Sequence, residues 1–113
     1  MATKENRKHV RVDSVNLLNY EYFGENQQKE SQGMGRTLNL SEAGLLLETK
    51  SLLKEDLELS IDIGLKEEIL SVNGKVIYSE ADDDGLFKSG IHFENVGVNN
   101  FMILRNHLQA ALA

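Results

Sequence analysis

Leu57-Glu58-Leu59-Ser60-Ile61-Asp62-Ile63 alternates apolar and polar side chains at every position. A strand points successive side chains to opposite faces, so this period of two gives one wet face and one dry face. It predicts an antiparallel strand half-buried on a core. Gly64 to Glu67 then turns the chain, and Glu68 to Ser79 alternates again, with Leu70, Val72, Gly74, Val76 and Tyr78 on one face. After the acidic stretch Glu80-Ala81-Asp82-Asp83-Asp84-Gly85, a strand over Leu86 to Glu94 sets Phe87, Ser89, Ile91 and Phe93 together. The acidic stretch reads as a solvated hairpin tip, because it lacks the spacing and the distal Glu of a calcium loop. From about Gly97 the period lengthens. Phe101, Leu104, Leu108 and Ala111 recur at three or four residues, an amphipathic helix with Asn99 or Asn100 placed to cap it.

Upstream, Asn39-Leu40-Ser41-Glu42-Ala43-Gly44 runs directly into Leu45-Leu46-Leu47-Glu48. Asn39, Ser41 and Gly44 interrupt an otherwise apolar run, which predicts strands over Met34 to Leu40 and Gly44 to Thr49 joined by a polar bend. Asn and Ser side chains bond nearby backbone groups and shape such bends. Gly44 supplies a position where positive φ costs nothing. Glu25 to Gly33 is polar throughout and reads as a loop. Ser14 to Phe23 reads as a strand whose apolar side changes near Leu17-Leu18, as a bulge would produce. Residues 1–13 are expected to form a flexible N-terminal arm and residues 14–113 the folded domain. The fold class is mainly all-β: a six-stranded antiparallel β-barrel closed by a C-terminal α-helix.

The chain has 113 residues, 41% hydrophobic and 27% charged, which suits one domain with a modest core. No apolar run approaches the ~18–20 residues that span a bilayer, and nothing at the N-terminus resembles a signal peptide. A cytoplasmic protein with no membrane contact is the expectation. The absence of cysteine removes disulfides, thiolate metal sites and a Cys nucleophile. Net charge is −6, unevenly placed: residues 1–11 carry Lys4, Arg7, Lys8 and Arg11 against Glu5 alone, so the body is strongly acidic. An acidic body argues against DNA or RNA as a partner, which needs an extended positive surface. Single-strand binding would also need aromatic platforms in a basic groove, whereas the Phe and Tyr residues here sit mostly in core phase.

Catalysis is not expected. None of His9, His92 and His107 lies in a nucleophile motif, no His pair has metal-ligand spacing, and no glycine-rich phosphate loop opens a helix. His92 is out of phase with Ile91 and Phe93 and should face solvent. His107 should flank the helix stripe. No catalytic residue, metal or cofactor is therefore assigned. The arm Arg7-Lys8-His9-Val10-Arg11 reads either as a basic tail or as half of an anion site. An arginine fork matches both phosphate oxygens and the O6/N7 edge of guanine, and a bend carrying an amide and a hydroxyl complements a base edge.

Arg7-Lys8-His9-Val10-Arg11 resembles the RxxxR signature of PilZ domains, and Asn39-Leu40-Ser41-Glu42-Ala43-Gly44 resembles their (D/N)xSxxG signature. Gly90-Ile91-His92-Phe93 is similar to the glycine-hydrophobic-x-Phe pattern of that family's last strand. The order and separation of the motifs agree over nearly the whole chain. The resemblance implies a PilZ-type barrel that acts as a bacterial receptor for cyclic di-GMP. It implies that Arg7 and Arg11 grip guanine and phosphate, that Asn39 and Ser41 contact the ligand, and that Gly44 shapes the turn. Asn39 stands where Asp is commoner, replacing a carboxylate with a neutral amide. With no output domain expected in 113 residues, the signal would pass to an effector protein or through a ligand-dependent homodimer. The alternative is a PilZ-like protein-protein interaction module that binds no nucleotide.

Overall fold

The computed structural model describes residues 10–23 and 29–112. Seven strands precede one helix: β1 (Val12–Asp13), β2 (Leu17–Phe23), β3 (Lys29–Leu40), β4 (Gly44–Thr49), β5 (Glu58–Leu65), β6 (Glu68–Ala81), β7 (Phe87–Glu94) and α1 (Val98–Leu112). Every pairing is antiparallel. The order β3-β2-β5-β6-β7-β4 closes on itself where β4 pairs back to β3, giving the six-stranded barrel, and β1 is an extra short strand on β3. β3 is long enough to serve three partners. One of its edges takes β2 and then β1, and the other takes β4 near its C-terminal end.

The alternation over 57–63 is realised as β5. Leu59, Ile61, Ile63 and Leu65 point into the barrel while Glu58, Ser60, Asp62 and Gly64 face out. Leu70, Val72 and Val76 from β6 meet them, with Leu45 and Leu47 from β4 and Ile91 and Phe93 from β7. Leu104 and Leu108 of α1 close one end of this core, beside Val12 of β1. Deep burial of this many aliphatic side chains is the main stabilising contribution.

Several expectations change in detail. Ser14 to Phe23 is not one bulged strand. Residues 14–16 are an irregular link after β1, and β2 starts only at Leu17, where plain alternation leaves Leu17 70% exposed and Leu18 buried. Part of the expected loop is strand, because Lys29–Gly33 pairs with β2. Tyr78 leaves the core face, and the cause is a bulge described below. The helix begins at Val98, so Asn99 and Asn100 lie inside its first turn. Gly97, at φ 84°, precedes it and accepts the first helical N–H from Phe101 at 2.9 Å. The acidic stretch folds as a 3-10 turn over Asp83–Gly85, with Lys88 bound to Asp82 at 3.1 Å. The backbone N–H of Asp83 and then the Lys88 ammonium hold the Asp82 carboxyl below its usual range.

Gly44 does not adopt positive φ. It is required for space, because a Cβ there would overlap the carbonyl oxygen of Ile91 where β4 begins to pair with β7. Gly44→Ala must therefore push two barrel strands apart at their backbones. A loss of about 1–3 kcal/mol is expected, measured by urea denaturation. Leu104→Ala removes a fully buried side chain from the helix seat and is expected to cost about 2–5 kcal/mol in the same assay.

Candidate functional site

Two bulges decide which side chains face outward beside the barrel's closing seam. Thr37 is fully buried and pairs with Leu47, yet the next pair is Asn39 with Leu46, so Leu38 is the extra residue. An inserted residue turns the following side chains over. Asn39 therefore faces out with Leu46, and Leu40 returns to the core. The same device recurs on β6. Val76 pairs with Ile91 and Tyr78 with Gly90, leaving Ile77 extra and turning Tyr78 outward. Asn39, Leu46, Gly90 and Tyr78 consequently form one row across β3, β4, β7 and β6. At the usual strand spacing the row is about 14 Å wide. The Tyr78 ring lies over Gly90, where a Cβ would overlap it, so that stretch of the row is flat and aromatic.

Charged side chains border this shelf. Two residues along, Arg36, Glu48 and Lys88 are in register, with Arg36 bonded to Glu48 at 2.6 Å. On the other side His92 stands opposite Gly44 and is exposed. At the β3 end, Arg11 donates from Nη1 to Oδ1 of Asn39 at 2.8 Å. β1 places it there, since Val12 pairs with Leu40 and Asp13 with Asn39. This partner is a neutral amide, so the bond orients the guanidinium without cancelling its charge.

Ser41 is 3% exposed and works within the turn. Its Oγ accepts from the backbone N–H groups of Ala43 and Gly44, both at 3.2 Å, and its hydroxyl donates to the Gly44 carbonyl at 3.3 Å. Those bonds engage the full capacity of a hydroxyl. The Ser41 N–H also donates to the Gly44 carbonyl at 2.9 Å, so the turn is braced from both side chain and backbone. Of the residues the sequence singled out, Arg11 and Asn39 are in contact across 28 residues, and Ser41 and Gly44 fix the turn directly beyond them. Arg7 lies outside the described residues. Leu46 and Tyr78 escaped the sequence reading. Tyr78 is in phase with Val76 by simple alternation, and only strand pairing reveals the bulge.

Among the described residues no group of three or more His, Asp or Glu side chains is placed to hold a metal ion. His107 meets the Ser14 hydroxyl at 3.0 Å, and burial, followed by the charge of Lys66, pushes its imidazole below the usual pKa. A cleft of about 550 Å³ lies between α1 and the β5–β6 turn, lined by Ser14, Lys66, Ile103, Asn106 and His107. It contains none of the motif residues. No described helix is long and apolar enough to cross a membrane.

The PilZ domain family model matches residues 5–112. No curated protein matches the sequence. Several solved structures share the fold. The Bacillus subtilis inhibitor of motility MotI/DgrA superposes with a TM-score of 0.75 at 17% identity, covering 95% of this chain and 52% of that one. The PilZ domain of Escherichia coli YcgR, solved with c-di-GMP, gives 0.70 at 13% identity, covering 95% and 92%. The K. pneumonia MrkH-c-di-GMP complex gives 0.73 at 14% identity, covering 95% and 52%. The chain thus spans about half the length of MotI/DgrA and MrkH. With Arg11 bonded to Asn39 on the outside of a six-stranded barrel, and with the family model running from residue 5 to residue 112, this chain belongs to the PilZ domain family.

Proposed function

We propose that this chain is a receptor for cyclic di-GMP, a binding and signalling protein and not an enzyme, which takes its ligand on the shelf between Arg11 and Tyr78. The observation that carries this reading is the Arg11–Asn39 bond, which brings the two halves of the motif into contact. The ligand combines flat guanine rings with anionic phosphates. A permanently charged fork beside an amide suits a guanine edge and a phosphate, while Leu46, Gly90 and the Tyr78 ring offer a surface for stacking. Two of the PilZ structures that share the fold contain c-di-GMP, which supports the same ligand class here.

In the proposed mechanism the arm folds over the shelf, so that Arg7 and Arg11 grip the ligand together and Asn39 contacts it. Ser41 and Gly44 hold the turn that keeps Asn39 in place. Fixing five residues costs on the order of 5–10 kcal/mol if all are free beforehand, and the anchoring of Arg11 to β3 lowers that cost. Charged hydrogen bonds of roughly 1.5–3 kcal/mol each, together with ring stacking on the shelf, offset that cost. Closing the arm changes the outer face of the barrel. That altered face passes the signal to an effector protein or to a second copy of the chain.

Titration calorimetry with cyclic di-GMP tests the grip. Arg7→Ala and Arg11→Ala are each expected to weaken binding about 10- to 150-fold, since each removes charge-assisted bonds. Wild type and Arg11→Ala binding equally well would reject it. Tyr78→Ala is expected to weaken binding about 5- to 100-fold with little change in thermal stability, because it removes a stacking surface from an exposed position.

A further inference from the structure

β1 is two residues long and makes two ladder pairs with β3. A strand this short is marginal on backbone pairing alone. Side chains supply the remainder, and they do so at Ser14, the residue after β1. The Ser14 N–H donates to the Leu38 carbonyl at 3.3 Å, and the Ser14 carbonyl accepts from Thr37 Oγ1 at 2.6 Å. Thr37 Oγ1 in turn accepts the Asn16 N–H at 3.0 Å. The Ser14 hydroxyl contacts Asn16 Oδ1 at 2.7 Å and His107 Nε2 at 3.0 Å.

With the Asn16 amide oriented so that Oδ1 faces Ser14, the Ser14 hydroxyl proton goes to that oxygen. In the tautomer that carries its proton on Nε2, His107 then donates to Ser14 Oγ. Helix α1 therefore reaches across the end of the barrel and bonds to the root of the segment that carries Arg11. Arg11 lies three residues upstream, within about 10 Å along the chain.

We infer that His107 is a positioning residue for the nucleotide site: through Ser14 it pins the end of β1 and so holds Arg11 beside Asn39. The inference rests on the reading of this face as a cyclic di-GMP site. A ligand gripped by Arg11 gains affinity when the root of the arm is already fixed, because less ordering remains to be done on binding. Coupling is reciprocal, so the bound ligand also steadies the turn of α1 that contains His107. The cleft beside α1 is the structural trace of this contact, with Ser14 and His107 both in its lining.

The test uses the full chain in four forms: wild type, His107→Leu, His107→Gln and Gln109→Gly. Leucine keeps apolar volume and loses the donor. Glutamine restores an N–H donor. Gln109→Gly loosens an exposed position of the same helix without reaching Ser14. Without ligand, NMR amide exchange at Ser14 is expected to be several-fold faster in His107→Leu, near wild type in His107→Gln, and unchanged in Gln109→Gly. By calorimetry with cyclic di-GMP, His107→Leu is expected to bind about 3- to 10-fold more weakly, with Gln restoring affinity. Wild-type exchange at Ser14 in His107→Leu would overturn the pin. An unchanged Kd in His107→Leu, against a wild type that binds, would overturn the positioning role. A wild type that fails to bind removes the nucleotide reading itself, while exchange at Ser14 still decides whether His107 pins β1.

Discussion

β3 is paired along both edges, and that constraint organises the molecule. One edge accepts β2 and β1 in succession, and the other accepts β4, whose return to β3 closes the ring. Closure leaves the six barrel strands without an open edge and encloses the aliphatic side chains of β4 to β7. It also forces local adjustments. The Leu38 bulge falls where β3 passes from pairing with β2 to pairing with β1, and Gly44 lets β4 approach the Ile91 carbonyl directly after the turn.

Those adjustments build the candidate site. A residue pointing outward from a strand is held more firmly than one on a free loop, because pairing on both sides fixes its backbone. Asn39 and Tyr78 are both placed in this way, by bulges on strands that flank the β4–β7 pair. The turn between Asn39 and Gly44 is rigid for another reason: the buried Ser41 hydroxyl satisfies its backbone donors from within. Against this fixed surface stands Arg11, tied by one bond to Asn39.

Polar links join distant parts of the chain. Arg11 to Asn39, His107 to Ser14 and Arg105 to Glu42 each join segments that are far apart in sequence. The last spans 3.9 Å between partly exposed groups, so screening by solvent makes it a weak contributor. His107 to Ser14 is half-sheltered and continues into the buried Thr37, which gives it more structural consequence.

Alternation over 57–63, the polar bend at 39–44 and the helical period after Gly97 were enough to specify a mainly antiparallel barrel with a terminal helix. They sufficed because burial on one face imposes a period that a single sequence displays directly. The paired motifs likewise picked out Arg11 and Asn39 before any contact between them was known. What the linear sequence did not carry was phase. A bulge shifts the ladder by one residue with no mark in composition, so Tyr78 read as core, and the change of side around Leu17 read as a bulge where the chain in fact breaks between two strands. The role of Gly44 was also hidden, since a glycine looks the same whether its φ or its lack of a Cβ is needed. Only the tertiary structure decided these points, because strand pairing and close approach depend on which distant backbone lies alongside.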